Sequence, residues 1–185
     1  DAADTADVPP PPCPSGEWGD LIFEFQADDT IVSTPAIGDD GTIYFGTQSA
    51  TLYAVDCFGN KKWEWPMDCG DFCPQAFEGS PAIGGDGTIY IGDDIAVPNY
   101  AFALSPGGDM LWRYETHVVY GQMDASPVIA SDGTIFFGAH GDSGYVGPIG
   151  QLVALDTDGN VYDGFPMETK AIRRNTGNAA TVIRD

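Results

Sequence analysis

Ser33-Thr34-Pro35-Ala36-Ile37, Ser80-Pro81-Ala82-Ile83 and Ser126-Pro127-Val128-Ile129 open three copies of one pattern, and their prolines stand 46 residues apart both times. The same turn and strand follow each: Asp40-Gly41-Thr42-Ile43-Tyr44-Phe45-Gly46, Asp86-Gly87-Thr88-Ile89-Tyr90-Ile91-Gly92 and Asp132-Gly133-Thr134-Ile135-Phe136-Phe137-Gly138. A fixed period of this length marks a repeat architecture. Asp-Gly between two apolar runs is a hairpin signal, because glycine accepts positive φ and aspartate tolerates it.

A third strand is expected at Leu52-Tyr53-Ala54-Val55-Asp56, Ala101-Phe102-Ala103-Leu104 and Leu152-Val153-Ala154-Leu155-Asp156. A second glycine-centred turn follows at Gly59, Gly108 and Gly159, then a fourth strand over 61–65, 110–114 and 161–165. Four antiparallel strands in about 46 residues make one propeller blade. The fold class is therefore all-β: a β-propeller with three complete repeats and partial blades at both ends. Gly19-Asp20-Leu21-Ile22-Phe23-Glu24-Phe25 aligns with Gly59-Asn60-Lys61-Lys62-Trp63-Glu64-Trp65 and reads as an extra fourth strand. Residues 178–185 read as the first strand of a fourth repeat. Propellers close with about four to eight blades. Three therefore imply either a longer natural protein or several chains pooling blades in a ring or extracellular fibre.

The 185 residues carry 7 Lys plus Arg against 28 Asp plus Glu, a net charge of −21. Phosphate recognition relies on Lys and Arg, so nucleic acid and anionic lipid are poor partners for this chain. A hydrophobic fraction of 43% supplies a core. No run of about 18 apolar residues suggests a transmembrane helix. Residues 1–16, with Pro9 to Pro12 in a row, form an Asp/Pro-rich linker or tether, leaving 17–185 for the blades.

The repeat resembles the quinoprotein-type (pyrroloquinoline-quinone, PQQ) repeat, whose signature is an Ala-x-Asp step, a glycine turn and an outer-strand tryptophan. Here these are Ala54, Asp56, Gly59 and Trp63 in the first blade. The second has Ala103, Gly108 and Trp112, with Ser105 replacing the aspartate. The third has Ala154, Asp156 and Gly159, with Tyr162 or Phe165 serving for the tryptophan. The resemblance covers roughly 20–185 and implies a family of alcohol and sugar dehydrogenases, an outer-membrane assembly lipoprotein and many exported non-enzymatic proteins. In its enzymes, quinone and calcium sit at the centre of a complete ring. No matching ligand set stands out here, the vicinal cysteine pair of the alcohol-oxidising members is absent, and PQQ is not expected. The N-terminal stretch resembles the tether that follows the lipidated cysteine of bacterial lipoproteins, which implies an extracellular, cell-surface or periplasmic place.

Cys13, Cys57, Cys69 and Cys73 are an even set that favours disulfides over metal in an exported chain. Cys69 with Cys73 would leave Cys13 to pin the tail onto Cys57, while the competing pairing ties Cys57 to the Cys69–Cys73 loop. Trp63 and Trp112 occupy equivalent positions and read as core between blades, whereas Trp18 and Trp65 are less constrained.

Turns joining strands A to B and C to D share one face of a propeller and are short here. The other connections, 66–79, 93–99, 116–125, 139–150 and 166–177, are long, and long loops on a rigid scaffold are where binding resides. The ligand-face candidates are therefore His117, His140, Tyr120, Asp93, Asp94, Asp124 and Asp142, an acidic rim for a protein, a glycan or a cation. Asp156, Asp158, Asn160 and Asp163 superficially resemble a calcium loop, although Met167 stands where an EF-hand has its bidentate glutamate and a plain turn fits the other blades. The functional expectation is an exported, non-catalytic propeller module for binding or scaffolding. The alternatives are a PQQ- and calcium-dependent dehydrogenase fragment and a structural protein whose chains share blades.

Overall fold

The computed structural model describes residues 12–65, 74–94, 99–116, 121–142, 148–173 and 179–181. The first blade is β1 (Ala36–Ile37), β2 (Ile43–Gly46), β3 (Leu52–Val55) and β4 (Lys61–Trp65), an antiparallel meander in chain order. The second repeats it with β5 (Ala82–Ile83), β6 (Ile89–Gly92), β7 (Tyr100–Leu104) and β8 (Met110–Glu115). The third contains β9 (Gly121–Gln122), β10 (Val128–Ile129), β11 (Ile135–Asp142), β12 (Pro148–Leu155), β13 (Met167–Arg173) and β14 (Ala179–Thr181). The first three strands of the expected meander pair in order in all three, with Ala36, Ala82 and Val128 opposite Tyr44, Tyr90 and Phe136 in turn.

The blades are joined by two devices, both periodic. The Thr34 N–H donates to Ser80 Oγ (2.8 Å), and the Ser80 N–H donates to Ser126 Oγ (3.0 Å), a ladder that runs along the repeat. On the outer side, each aromatic ring of a fourth strand lies on the turn glycine of the next blade. Trp63 covers Gly108 and its Nε1–H donates to the Pro106 carbonyl (2.9 Å); Trp112 covers Gly159 and donates to the Thr157 carbonyl (2.8 Å). A Cβ on Gly108 would stand 2.9 Å from the Trp63 ring, and the residue also has φ +91°, so steric room and backbone both demand glycine.

The first seam, between blades one and two, buries Leu52, Ala54, Phe77, Ile91, Phe102 and Leu104. The second, between blades two and three, buries Tyr90, Ala101, Met123, Ile135, Phe137 and Val153.

Four expectations need correction. Residues 20–27 lie in no ladder among the described residues, because a strand exists only through a paired neighbour. They still alternate, with Phe23 and Phe25 half-buried against Phe45, Tyr53 and Val55, and Phe23 covers Gly59 as Trp63 covers Gly108. The fourth strand expected at 161–165 is reduced to one bridge, Leu155 with Val161. Gly164 at φ +90° turns the chain and Pro166, which offers no N–H, follows, so pairing resumes only at Met167 opposite Leu152. The third blade's connections over 139–150 and 166–177 are partly strand, since β11 and β12 pair out to Asp142 opposite Pro148. Finally, Ala179–Thr181 pairs the outer strand β13, whose free edge offers hydrogen-bonding groups, in the stretch where a new inner strand was expected.

Candidate functional site

The candidate residues scatter over three environments. His117 and Tyr120 lie outside the described residues, as do Cys69 and Cys73, and of Asp142 only the backbone, at the end of β11, is described. Asp124 and His140 are brought together on the long-loop face, with Nδ1 3.4 Å from Oδ1 and both side chains about half exposed. Pairing of His140 with Gln122 in the β9–β11 ladder sets that approach.

Asp93 and Asp94 are not on an exposed rim. They are 0% and 1% exposed, because the Asp94 N–H donates to the Ala76 carbonyl and so draws the end of β6 under the crossing from the first blade. Asp93 turns back into its own sheet, its Oδ1 accepting the Tyr100 N–H (2.6 Å). Burial pushes its carboxyl up to about 7, against the opposing pull of that hydrogen bond and with a smaller contribution from Asp94. A carboxyl that titrates near neutrality would suit acid–base chemistry, but with no exposed surface it cannot meet a substrate.

The four residues with calcium-loop spacing form a turn. Asp156 Oδ1 accepts from the backbone N–H groups of Asp158 (3.0 Å) and Asn160 (2.8 Å), and Oδ2 from Asn160 Nδ2 (3.0 Å). Asp56 is engaged in the same way by Phe58 and Asn60. Both carboxyls are lowered, chiefly by the asparagine side chain. Asp158 and Asp163 are exposed beside this turn. Among the described residues no three His, Cys, Asp or Glu side chains stand close enough to hold a metal ion.

Cys13 is bonded to Cys57, with Cα atoms 5.5 Å apart, so the tail is pinned to the turn of the first blade. Trp63 and Trp112 are packed in the seams as expected. Trp65 is not a loose surface residue: it stacks on Phe77 (6.0 Å) and meets Phe102 edge-on (5.0 Å). Trp18 is fully exposed. In the third blade, Phe165 packs edge-on against Phe136 (6.1 Å) while Tyr162 stays exposed.

The sequence reading missed a cleft of about 510 Å³ on the opposite, short-turn face, between the first two blades. Its apolar lining includes Ile37, Tyr44, Ile83 and Pro106, and Asp39, Asp40 and Asp86 add carboxylates. Asp40 is lowered to about 2, first by the Thr42 hydroxyl and backbone and then by Lys62. Asp86 is lowered by the Thr88 N–H and hydroxyl. Both therefore carry negative charge at any ordinary pH. Ile37, 70% exposed, offers apolar surface beside them. The signal in the sequence was the small-residue run before each Asp-Gly turn, Gly38 in one blade and Gly84-Gly85 in the next, which leaves the space open.

Stacked four-stranded blades with periodic seams define the chain as a β-propeller module. No family model matches it, and no curated protein does. Solved structures do: 51 chains match. BamB from Moraxella catarrhalis is 24% identical with a TM-score of 0.51, over 73% of this chain and 37% of that one. A protein of unknown function from Bacteroides caccae is 13% identical with a TM-score of 0.51, over 75% and 46%. A europium-containing methanol dehydrogenase is 18% identical with a TM-score of 0.55, over 74% and 24%. The likeness is one of fold, and this chain spans less than half the length of each.

Proposed function

We propose that this propeller module is non-catalytic and docks a protein segment that places a Lys or Arg beside an apolar residue, seated in the cleft between the first two blades. The observation that carries the reading is the combination in one cavity of exposed Ile37 with the ionised Asp86 and with Asp39, while Asp40 is held in an ion pair with Lys62 (3.0 Å). Apolar contact supplies affinity, and carboxylates select a cationic partner and repel acidic ones. The chain's charge of −21 extends that selection over its surface. The Cys13–Cys57 disulfide supports an exported setting, because such bonds persist in oxidising compartments.

The test is a titration of the isotope-labelled chain with short peptides holding Arg-Leu or Lys-Phe pairs, and with the same peptides carrying Glu for the basic residue. Salt-sensitive shifts centred on Ile37, Tyr44 and Ile83, lost in Asp39→Lys and absent with the Glu peptides, are expected. Binding that maps to the Asp124–His140 face, or none with either set, would sink the reading.

A further inference from the structure

The seam between the second and third blades contains a row of buried polar groups, and we propose that this row binds a calcium ion. Its position follows from register. Ala101 and Ala103 on β7, and Trp112 and Tyr114 on β8, face the third blade, so Asn99 and Thr116, two residues further along, face it too. They stand opposite each other, the Thr116 N–H donating to the Asn99 carbonyl (2.9 Å). From the other side, Val153 and Leu155 face the second blade, which turns Gln151 toward the same seam. Continuing the Gly92–Ala101 pairing through the Asp93–Tyr100 hydrogen bond places Asp94 across from Asn99.

Asp94, Asn99, Thr116 and Gln151 are each at least nine-tenths buried. Among the described residues, neither amide atom of Asn99 has a hydrogen-bond partner, nor does Thr116 Oγ1 or Gln151 Oε1. A buried polar atom left unmatched is costly, and several in one row indicate a ligand that matches them. The donors are two amide oxygens and a hydroxyl, joined by the Asp94 carboxylate. An all-oxygen set of neutral carbonyl-type ligands with a carboxylate suits calcium, which accepts irregular coordination, better than zinc, which selects nitrogen and sulfur. A water on the ion would accept from the Asn99 amide N–H groups. Arg113, on β8, lies over the Tyr100 ring on the other side of the sheet (5.3 Å), so it brings no positive charge to this row. The site lies apart from the cleft proposed for protein docking and stands independently of it.

The experiment is thermal unfolding of the full chain, stripped with chelator, against added calcium or magnesium chloride. Near-UV circular dichroism is recorded alongside, because Trp112 and Tyr114 border the seam. The expected result is a saturable rise in Tm and a saturable change in the aromatic spectrum with calcium, weaker with magnesium. Both are lost in Asn99→Ala, which installs the residue found at the matching place, Ala50, in the first seam, and in Gln151→Leu. Should a variant fail to fold, the wild-type spectral titration still decides. No response up to about 10 mM calcium, above the affinity range of extracellular calcium modules, would overturn the proposal. So would an equal response in folded variants, or variants that are more stable both with and without calcium, the behaviour of a seam that holds only water.

Discussion

The two seams are built from the same places in the repeat and filled differently. In the first, Ala50, Leu52, Phe77, Tyr100 and Phe102 make a dry stack, with Phe77 and Phe102 edge-on at 6.4 Å. In the second, Asn99 replaces Ala50, Gln151 replaces Tyr100 and Met123 replaces Phe77, and part of the row is polar. The hydrogen-bonded hooks, Trp63 on Pro106 and Trp112 on Thr157, are nearly identical in the two. The framework that fixes the fold is thus periodic, while the filling near the long-loop face is free to vary. Function can be written into a seam without disturbing the blades.

The largest test of that contrast is Phe102→Ala. Its ring is 1% exposed at the centre of the dry stack, and a cavity there should cost about 3–5 kcal/mol in urea unfolding. A loss below about 1 kcal/mol would mean that the first seam is no better packed than the second.

Asp93 stands opposite Tyr100 at the edge of the first seam, its carboxyl turned back to the Tyr100 N–H, and its pH dependence tests that edge by itself. Its folded-state carboxyl is raised from 3.8 to about 7, so the folded form holds the proton more tightly. It costs nothing below the unfolded value, stability falls as pH rises between the two values, and the full penalty remains above the folded one. Asp93→Asn should therefore stabilise the chain at pH 8 by at most about 4 kcal/mol, with the gain vanishing near pH 3. Equal gains at both pH values would show that the charge is not the cause.

Transplanting the polar residue sharpens the comparison further. Ala50 has φ +64°, a conformation asparagine accepts more readily, so Ala50→Asn gives the backbone no reason to object. Burying the amide in the dry seam should still cost about 1–3 kcal/mol. A neutral outcome would erase the distinction between the seams. The smallest effect is expected from Trp63→Phe and Trp112→Phe, which each remove one hydrogen bond and keep the ring over its glycine. Losses of about 1 kcal/mol apiece, matching within error by chemical denaturation, would confirm that the hooks are equivalent.

The blades were legible because their signals are local. The Asp-Gly turns, the 46-residue spacing of Pro35, Pro81 and Pro127, and the alternation around Ile43, Ile89 and Ile135 all lie within a few residues of what they specify. The sites were less legible because they depend on neighbours distant in sequence. Asp93 and Asp94 look like surface acids until the crossing at Ala76 covers them. Asn99, Thr116 and Gln151 look like loop residues until the register shows that they face one another. The strands of the third blade were underestimated because His140, Gly141 and Asp142 carry no apolar pattern, and β11 is held there by backbone pairing to β12 and β9.

The joint between blades has a direction. The first two blades each give a ring to the next, Trp63 to Gly108 and Trp112 to Gly159, and the first receives Phe23 on Gly59 from the segment before it. In the language of assemblies this is a heterologous contact, in which knob and socket are different surfaces, and such contacts never pair off and stop. They propagate with a constant rotation per step and end only when the rotation closes on itself. An inserted blade would meet its neighbours through the same kind of knob and socket, so the ring-on-glycine joint sets the direction of the stack whatever fills the seam beside it.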